Sequence, residues 1–292
     1  MYKVDNAIIM AAGTSSRFAP LSYETHKGLL TVRGQVLIER QIEQLKQAGI
    51  DEVVLVAGYM KERFEYLKAK YGIKIVENNE YDRRNNHSSI YAVRDILGNS
   101  YICSSDNYFS KNPFETEVSE PYYAALYAEG RTDEWCIAAG PDGYIDTISV
   151  GGENSWYMMG HVFWDERFSR KFVEILEREY DTPEIKDKLW ETVYAEHLDE
   201  LKLRIREYEH DYIFEFDSLD ELRQFDESYI DDTRSGIIAR IADELGCRQR
   251  ELSRFTALKS PNSTQAEGFT LVYGEKKYRY YYKTERLETD DG

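Results

Sequence analysis

The chain has 292 residues, 42% of them hydrophobic, with 24 tyrosines and 12 phenylalanines, enough for one large or two modest domains around a sizeable core. A net charge of −17 excludes the basic stripe that nucleic acid requires and opposes an anionic membrane surface. Three cysteines without metal-ligand spacing, no apolar run of bilayer length and an opening that leads straight into a strand together predict a cytoplasmic protein with no signal peptide and no membrane insertion.

The first element is the apolar run Ala7 to Met10, read as a buried strand. It ends in Ala11-Ala12-Gly13, followed by Thr14-Ser15-Ser16, Arg17 and, ten residues on, Lys27. Small residues let backbone N–H groups approach an anion, and Arg17 and Lys27 add fixed positive charge. The pattern is a phosphate-cradling loop, distinct from both the dinucleotide G-x-G-x-x-G and the G-x-x-x-x-G-K-[ST] loop. The same residues would also serve as a solvated strand–helix turn.

Helical periodicity follows over Gln35 to Ala48, closed by Gly49. Asp51 to Ala57 reads as a strand, Lys61 to Tyr71 as a helix closed by Gly72, and Ile73 to Glu77 as a strand. Ser88 to Leu97 is a predicted helix and Tyr101 to Ser104 a strand. Strands alternating with helices predict a Rossmann-like, three-layer, mainly parallel α/β sheet, with ligands at the carboxyl ends of its strands. Beyond Tyr122 the pattern changes. Short strands at Tyr123 to Tyr127, Cys136 to Ala139, Tyr144 to Val150 and Val162 to Trp164 read as an antiparallel extension holding a second substrate. Helices are expected at Phe168 to Glu179, Lys188 to Leu198 and Leu219 to Phe225. The domain boundary is placed at 232/233. Residues 233–292 are expected to form an α+β appendage, with a helix at Ile237 to Leu245 and a hairpin across Gly274 that must pack on something to be stable.

Asp106 directly follows a predicted strand, where a carboxylate can hold Mg²⁺ together with substrate phosphates. Glu215 and Asp217 alternate with apolar residues, which in a strand puts both carboxylates on one face. In isolation Asp217 reads equally well as a helix cap and Glu215 as a solvated edge charge. Aromatic faces hold quaternary ammonium groups. Of the rings at Trp135, Trp156, Tyr157, Trp164 and Trp190, we select Trp135, Tyr157 and Trp190 for such a cage, with Glu191 or Glu134 as counter-charge.

Ala-Ala-Gly-x-x-Ser-Arg-x-x-Pro-Leu followed by Lys27-Gly28-Leu29-Leu30 resembles the signature of nucleotidyltransferases that condense a nucleoside triphosphate with a phosphate ester. That family usually has a second Gly where Ser15 stands and a Pro where His26 stands. Together with Asn85-Asn86-His87-Ser88-Ser89, Ser105-Asp106-Asn107-Tyr108, Asp133-Glu134-Trp135 and Glu215-Phe216-Asp217-Ser218, the chain resembles bacterial CTP:phosphocholine cytidylyltransferases from Met1 to about Asp226. The resemblance implies CTP and phosphocholine as substrates. It implies Asp106, Glu215 and Asp217 on Mg²⁺, Arg17 and Lys27 on the triphosphate, and the loop Ala11 to Arg17 with Tyr81, Asn86 and Ser88 around the nucleotide. Relatives can carry another Asp where Ser104 stands. The alternatives are phosphoethanolamine or 2-aminoethylphosphonate as acceptor, a sugar-1-phosphate nucleotidyltransferase, and a silent nucleotide-binding regulator. The tail from Arg240 to Tyr278 resembles the opening of choline-kinase-like enzymes without any kinase catalytic loop. It is read as a vestigial lobe, or as a packing or homodimerisation module.

Overall fold

The computed structural model describes residues 1–259 and 265–290. It divides into two compact units. The first comprises Met1–Gly13 and Ile38–Glu215, the second Thr14–Leu37 and Phe216–Gly292. This division differs from the one expected at 232/233. The tail does not stand apart, because the segment carrying Arg17 and Lys27 belongs to the same unit as the C-terminal residues.

The first unit is built on a seven-stranded sheet. Its order is Arg204–Glu207, Tyr122–Ala139, Ile145–Trp164, Ser100–Ser104, Asn6–Ala11, Val53–Ala57, Lys74–Glu77. The last four strands are mutually parallel, with Ile8 registered against both Val54 and Ile102. Asn6–Ala11, Val53–Ala57 and Ser100–Ser104 are buried nearly without interruption, as expected of strands covered on both faces, hence the apolar runs in place of alternation, while Lys74–Glu77 at the sheet's edge has no buried residue. Strand Ile145–Trp164 runs antiparallel to Ser100–Ser104 and pairs antiparallel with Tyr122–Ala139. These two strands have 18 and 20 residues where short separate ones were expected. Their outer parts are half-exposed and interrupted by register shifts, so neither alternation nor a continuous apolar run marks them in the sequence. The helix Glu166–Glu179 is capped by Asp165, whose side chain accepts from the Phe168 amide at 2.8 Å. It buries Phe168, Phe172, Ile175 and Leu176 in a core shared with Trp164, Trp190 and Tyr194.

In the second unit the tail is a helix, Gly236–Leu245, and a four-stranded antiparallel sheet. The strands Leu252–Lys259, Ala266–Tyr273, Lys276–Tyr281 and Arg286–Thr289 lie in chain order. The expected hairpin across Gly274 is thus the centre of a larger sheet, which meets the requirement that an isolated hairpin find partners. No helix among the described residues is long and apolar enough to cross a membrane.

Candidate active site

In the first unit, the parallel strands deliver their carboxyl ends to Gly13 and Asp106. Ala11 and Ala12 are buried, while Gly13 is exposed. The Tyr59 amide fixes the Ala12 carbonyl at 3.0 Å. A side chain on Gly13 would meet no atom of the protein within 4 Å. Packing therefore does not require a glycine there, and the open space above its backbone suits the close approach of a ligand.

Asp106 follows Ser100–Ser104, and its turn is pinned from below. The Ser105 amide bonds the Met10 carbonyl at 3.1 Å. The buried amide of Gln41 donates to Ser104 O at 2.7 Å and Asn107 O at 3.0 Å. Glu215 reaches the same turn through strand pairing. Ile213 and Phe214 pair with Phe109 and Tyr108, and the next step of that register brings Asn107 Nδ2 to Glu215 Oε2 at 3.3 Å. Asp106 and Asn107 are chain neighbours, so the pairing carries the Glu215 carboxylate to the Asp106 turn.

A second polar group lies in this unit. Asn86 spends both ends of its amide on the helix Trp190–Glu196. Its Oδ1 accepts from the Trp190 amide at 2.7 Å, and its Nδ2 donates to Glu191 Oε2 at 3.1 Å. Burial pushes the Glu191 carboxyl up to about 7. The phenol of Tyr123 is pushed well above its ordinary value, first by burial and then by the charges of Glu191 and Glu215. Tyr123 thus stands within electrostatic reach of both carboxylates. Nothing in the sequence set it apart from the other 23 tyrosines; only the pairing of distant strands does.

Several expected contacts are placed differently. Ser88 is buried, donating to Asn85 O at 2.7 Å and accepting from Asn78 Nδ2 at 2.8 Å, so its hydroxyl serves packing. Trp190 is only 2% exposed. It stacks on Tyr123 at 5.6 Å and meets Trp164 edge-on at 5.3 Å, which makes its ring core rather than the open wall of a cage. Trp164 is likewise core. Trp135 and Tyr157 are half-exposed on the long strands, where Tyr157 registers with Cys136, the neighbour of Trp135. Tyr81 packs on Gly58, where an added Cβ would come within 2.7 Å of its ring.

In the second unit, Ser15 adopts a left-handed conformation, φ 48°, and its carbonyl accepts from the Phe18 amide at 2.9 Å. Glycine takes that conformation without the cost of a Cβ, which explains why the nucleotidyltransferase pattern carries Gly at this place. His26, standing where that pattern has Pro, closes the turn Lys27–Leu29 by accepting from the Gly28 amide at 3.1 Å. Lys27 is only 5% exposed along its side chain, with Nζ 3.6 Å from Asp217 and 5.8 Å from the Phe18 ring centre. The exposed Arg17 donates to the other Asp217 oxygen at 2.6 Å. Asp217 therefore collects both cations. Ser218, one residue on, caps the helix Leu219–Phe225, a role that the sequence alone allowed Asp217. Among the described residues no three His, Cys, Asp or Glu side chains are grouped to hold a metal ion. The donor chemistry nevertheless fits a hard cation, since Asp106 and Glu215 offer carboxylate oxygens and one or two carboxylates suffice when phosphates complete the shell.

Residues 7–107 match the model of the MobA-like NTP transferase domain. The choline-phosphate cytidylyltransferase of Streptococcus pneumoniae is 37% identical over 221 residues, 76% of this chain and 96% of that protein. The 2-aminoethylphosphonate cytidylyltransferase of Lancefieldella rimae is 36% identical over 229 residues, 77% and 93% of the two chains. The solved structure of the Streptococcus pneumoniae CTP:phosphocholine cytidylyltransferase superposes with a TM-score of 0.73 at 36% identity, covering 78% of this chain and 99% of that one.

Proposed function

The chain belongs to the family of choline-phosphate cytidylyltransferases among the MobA-like NTP transferases, and from that premise we infer that it transfers the cytidylyl group of CTP to phosphocholine, releasing pyrophosphate. The phosphocholine phosphate is largely dianionic near neutral pH, its second pKa being about 6. One of its oxygens attacks the α-phosphorus in line, the bond to the bridging oxygen breaks, and no general base is required. The protein's task is alignment and charge neutralisation. The amides of Gly13 to Ser16 face the triphosphate. Lys27 and Arg17 exchange their contacts with Asp217 for phosphate oxygens. Nucleotidyltransferases commonly use a divalent metal, and here Asp106, Glu215 and Asp217 would hold Mg²⁺. When bound, that ion supplies further neutralisation of the phosphate charge.

The observation that supports the acceptor assignment is that the charges of both Glu191 and Glu215 act on one phenol, that of Tyr123. An acceptor with a cation for Glu191 at one end and, at the other, a phosphate met through the Mg²⁺ that Glu215 would help to hold matches that pair. A sugar phosphate offers Glu191 hydroxyl donors but no cation. Trp135 and Tyr157 remain the rings available for a quaternary ammonium, at about 0.5 to 2 kcal/mol each. A second reading, 2-aminoethylphosphonate or phosphoethanolamine as acceptor, draws support from the Lancefieldella relative and from Glu191 itself, which a primary ammonium can approach as a hydrogen-bond donor. Pyrophosphate release measured with four nucleoside triphosphates against phosphocholine, phosphoethanolamine, 2-aminoethylphosphonate and glucose-1-phosphate decides between them. The highest kcat/KM is expected with CTP and phosphocholine. A preference for a primary amine moves the assignment to the second reading, and a preference for the sugar phosphate overturns both.

A further inference from the structure

About a quarter of this chain has no counterpart in the pneumococcal relative, which is matched over 96% of its own length by 76% of the residues here. The residues beyond Phe225 are knitted to the short segment that carries Arg17 and Lys27. Tyr23, between those two residues in the helix Leu21–Glu24, stacks face to face on Tyr282 at 3.8 Å and 4°. The neighbouring Glu24 accepts a hydrogen bond from the Ser235 hydroxyl and another from the Ile237 amide at 3.3 Å, at the start of the helix Gly236–Leu245. The turn Ser16–Phe18 packs against the strand Leu252–Lys259. Beyond Lys27, the Thr31 carbonyl accepts from Tyr229 Oη at 2.9 Å and Arg234 Nη1 at 2.5 Å. The Arg33 amide donates to Asp226 at 2.6 Å, and its guanidinium lies 3.8 Å over the Phe225 ring.

We propose that the C-terminal helix and sheet position the triphosphate-binding segment, with Tyr282 and Ser235 acting as positioning residues for Arg17 and Lys27. The contacts fall before Arg17's turn ends, midway between the two cations, and just after Lys27, so the segment is clamped along its length. A segment held in its binding conformation loses less freedom when the anion arrives, and tighter binding follows without any direct contact from the clamp. This rests on the reading that Arg17 and Lys27 hold the triphosphate. It goes beyond that reading in making nucleotide affinity a property of the tail.

The test uses full-length protein carrying Tyr282→Leu, Tyr282→Phe or Glu24→Ala. Affinity for CTP is read by calorimetry, KM for CTP and for phosphocholine from pyrophosphate release, and integrity from thermal unfolding. Tyr282→Leu and Glu24→Ala are expected to weaken CTP roughly fivefold or more by loosening the segment, with KM for phosphocholine within about twofold. Tyr282→Phe keeps the stacked ring and should behave as wild type. CTP affinity unchanged in both disruptive variants overturns the proposal, as does an equal loss for both substrates. If Tyr282→Leu does not fold, Glu24→Ala decides alone. A wild-type protein that binds CTP but transfers nothing to phosphocholine would instead overturn the acceptor assignment and leave the coupling measurable in the binding data.

Discussion

A lysine side chain only 5% exposed has lost most of its water and needs anionic partners. Lys27 has Asp217 at 3.6 Å, and in the proposed reaction the charge that builds on the triphosphate takes over that role. Lys27→Ala should therefore lower kcat as well as raise KM for CTP, by on the order of 10²-fold or more in kcat/KM. Steady-state kinetics check this, and a rise in KM alone would reassign Lys27 to ground-state binding. Lys27→Arg should not rescue activity, because a planar guanidinium does not fit the enclosure of an ammonium. Glu191 gives a pH prediction. Its carboxyl is held near 7 by burial, so below that pH it is mostly neutral, and a substrate cation must displace a proton to pair with it. Affinity for phosphocholine should rise as pH increases through 7. Glu191→Gln should lower kcat/KM several-fold and remove that part of the rise, as a comparison of the two pH profiles would show. Arg17, Lys27 and Asp106 could be picked from the sequence as candidates because they sit beside a loop or follow a predicted strand, and Glu215 because it alternates with apolar residues. Tyr123 and Gln41 could not, because their roles come from partners 68 residues away (Tyr123 to Glu191) and 63 residues away (Gln41 to Ser104).

At the scale of elements, the alternating strands and helices of the first unit were legible from apolar runs and closing glycines, since each is a local signal. Asn86 and Trp190 show the limit of such signals. Asn86, from a motif, and Trp190, as an aromatic ring, were both singled out for ligands, yet Asn86 is committed to the helix Trp190–Glu196 and Trp190 to the core. The short strand that alternation predicts over Tyr212 to Phe216 is present as two residues, Ile213–Phe214, paired with Tyr108 and Phe109. It rests on Gly160, which has φ 98° and where a Cβ would come within 3.1 Å of two Ile213 carbons. Gly160→Ala should thus cost about 1 to 2 kcal/mol in backbone conformation alone. It should also displace the strand that presents Glu215. The expected outcome is a lowered Tm together with a raised Mg²⁺ requirement. A lowered Tm with an unchanged Mg²⁺ titration would show that the strand absorbs the strain without moving the carboxylate.

For the whole molecule, the acid limit of stability has an identifiable contributor. His161 is buried among Tyr101, Phe109, Phe114 and Tyr122, and accepts or donates to Tyr122 Oη at 2.9 Å. Burial, with a lesser push from Arg206, lowers its pKa to about 3. The unfolded chain takes up this proton near pH 6.5 while the native state does not. The stabilisation is therefore complete above about 6.5 and is lost as pH falls from there toward 3, by up to about 1.4 kcal/mol per pH unit. Urea unfolding of wild type and His161→Gln across that range should show a shallower pH slope in the variant. Domain organisation was the least legible property of the chain. The predicted helix and hairpin beyond residue 232 read as a separate appendage, but the contacts that tie the tail to Tyr23, Glu24 and Thr31 join residues about 200 or more apart, and no window of sequence contains both partners.

That separation bears on the order of events at the ribosome. Ser235 is synthesised 211 positions after Glu24, and Tyr282 later still. Closing so long a loop is slow relative to local pairing. The strands before Asp106 can assemble as they emerge, while the segment with Arg17 and Lys27 waits for its partners until the residues from Ser235 to Tyr282 have been made. A nascent chain that has not yet reached Ser235 would thus carry formed parallel strands and an untethered segment around Arg17 and Lys27, and the tethering contacts would arrive only once Tyr282 has been made.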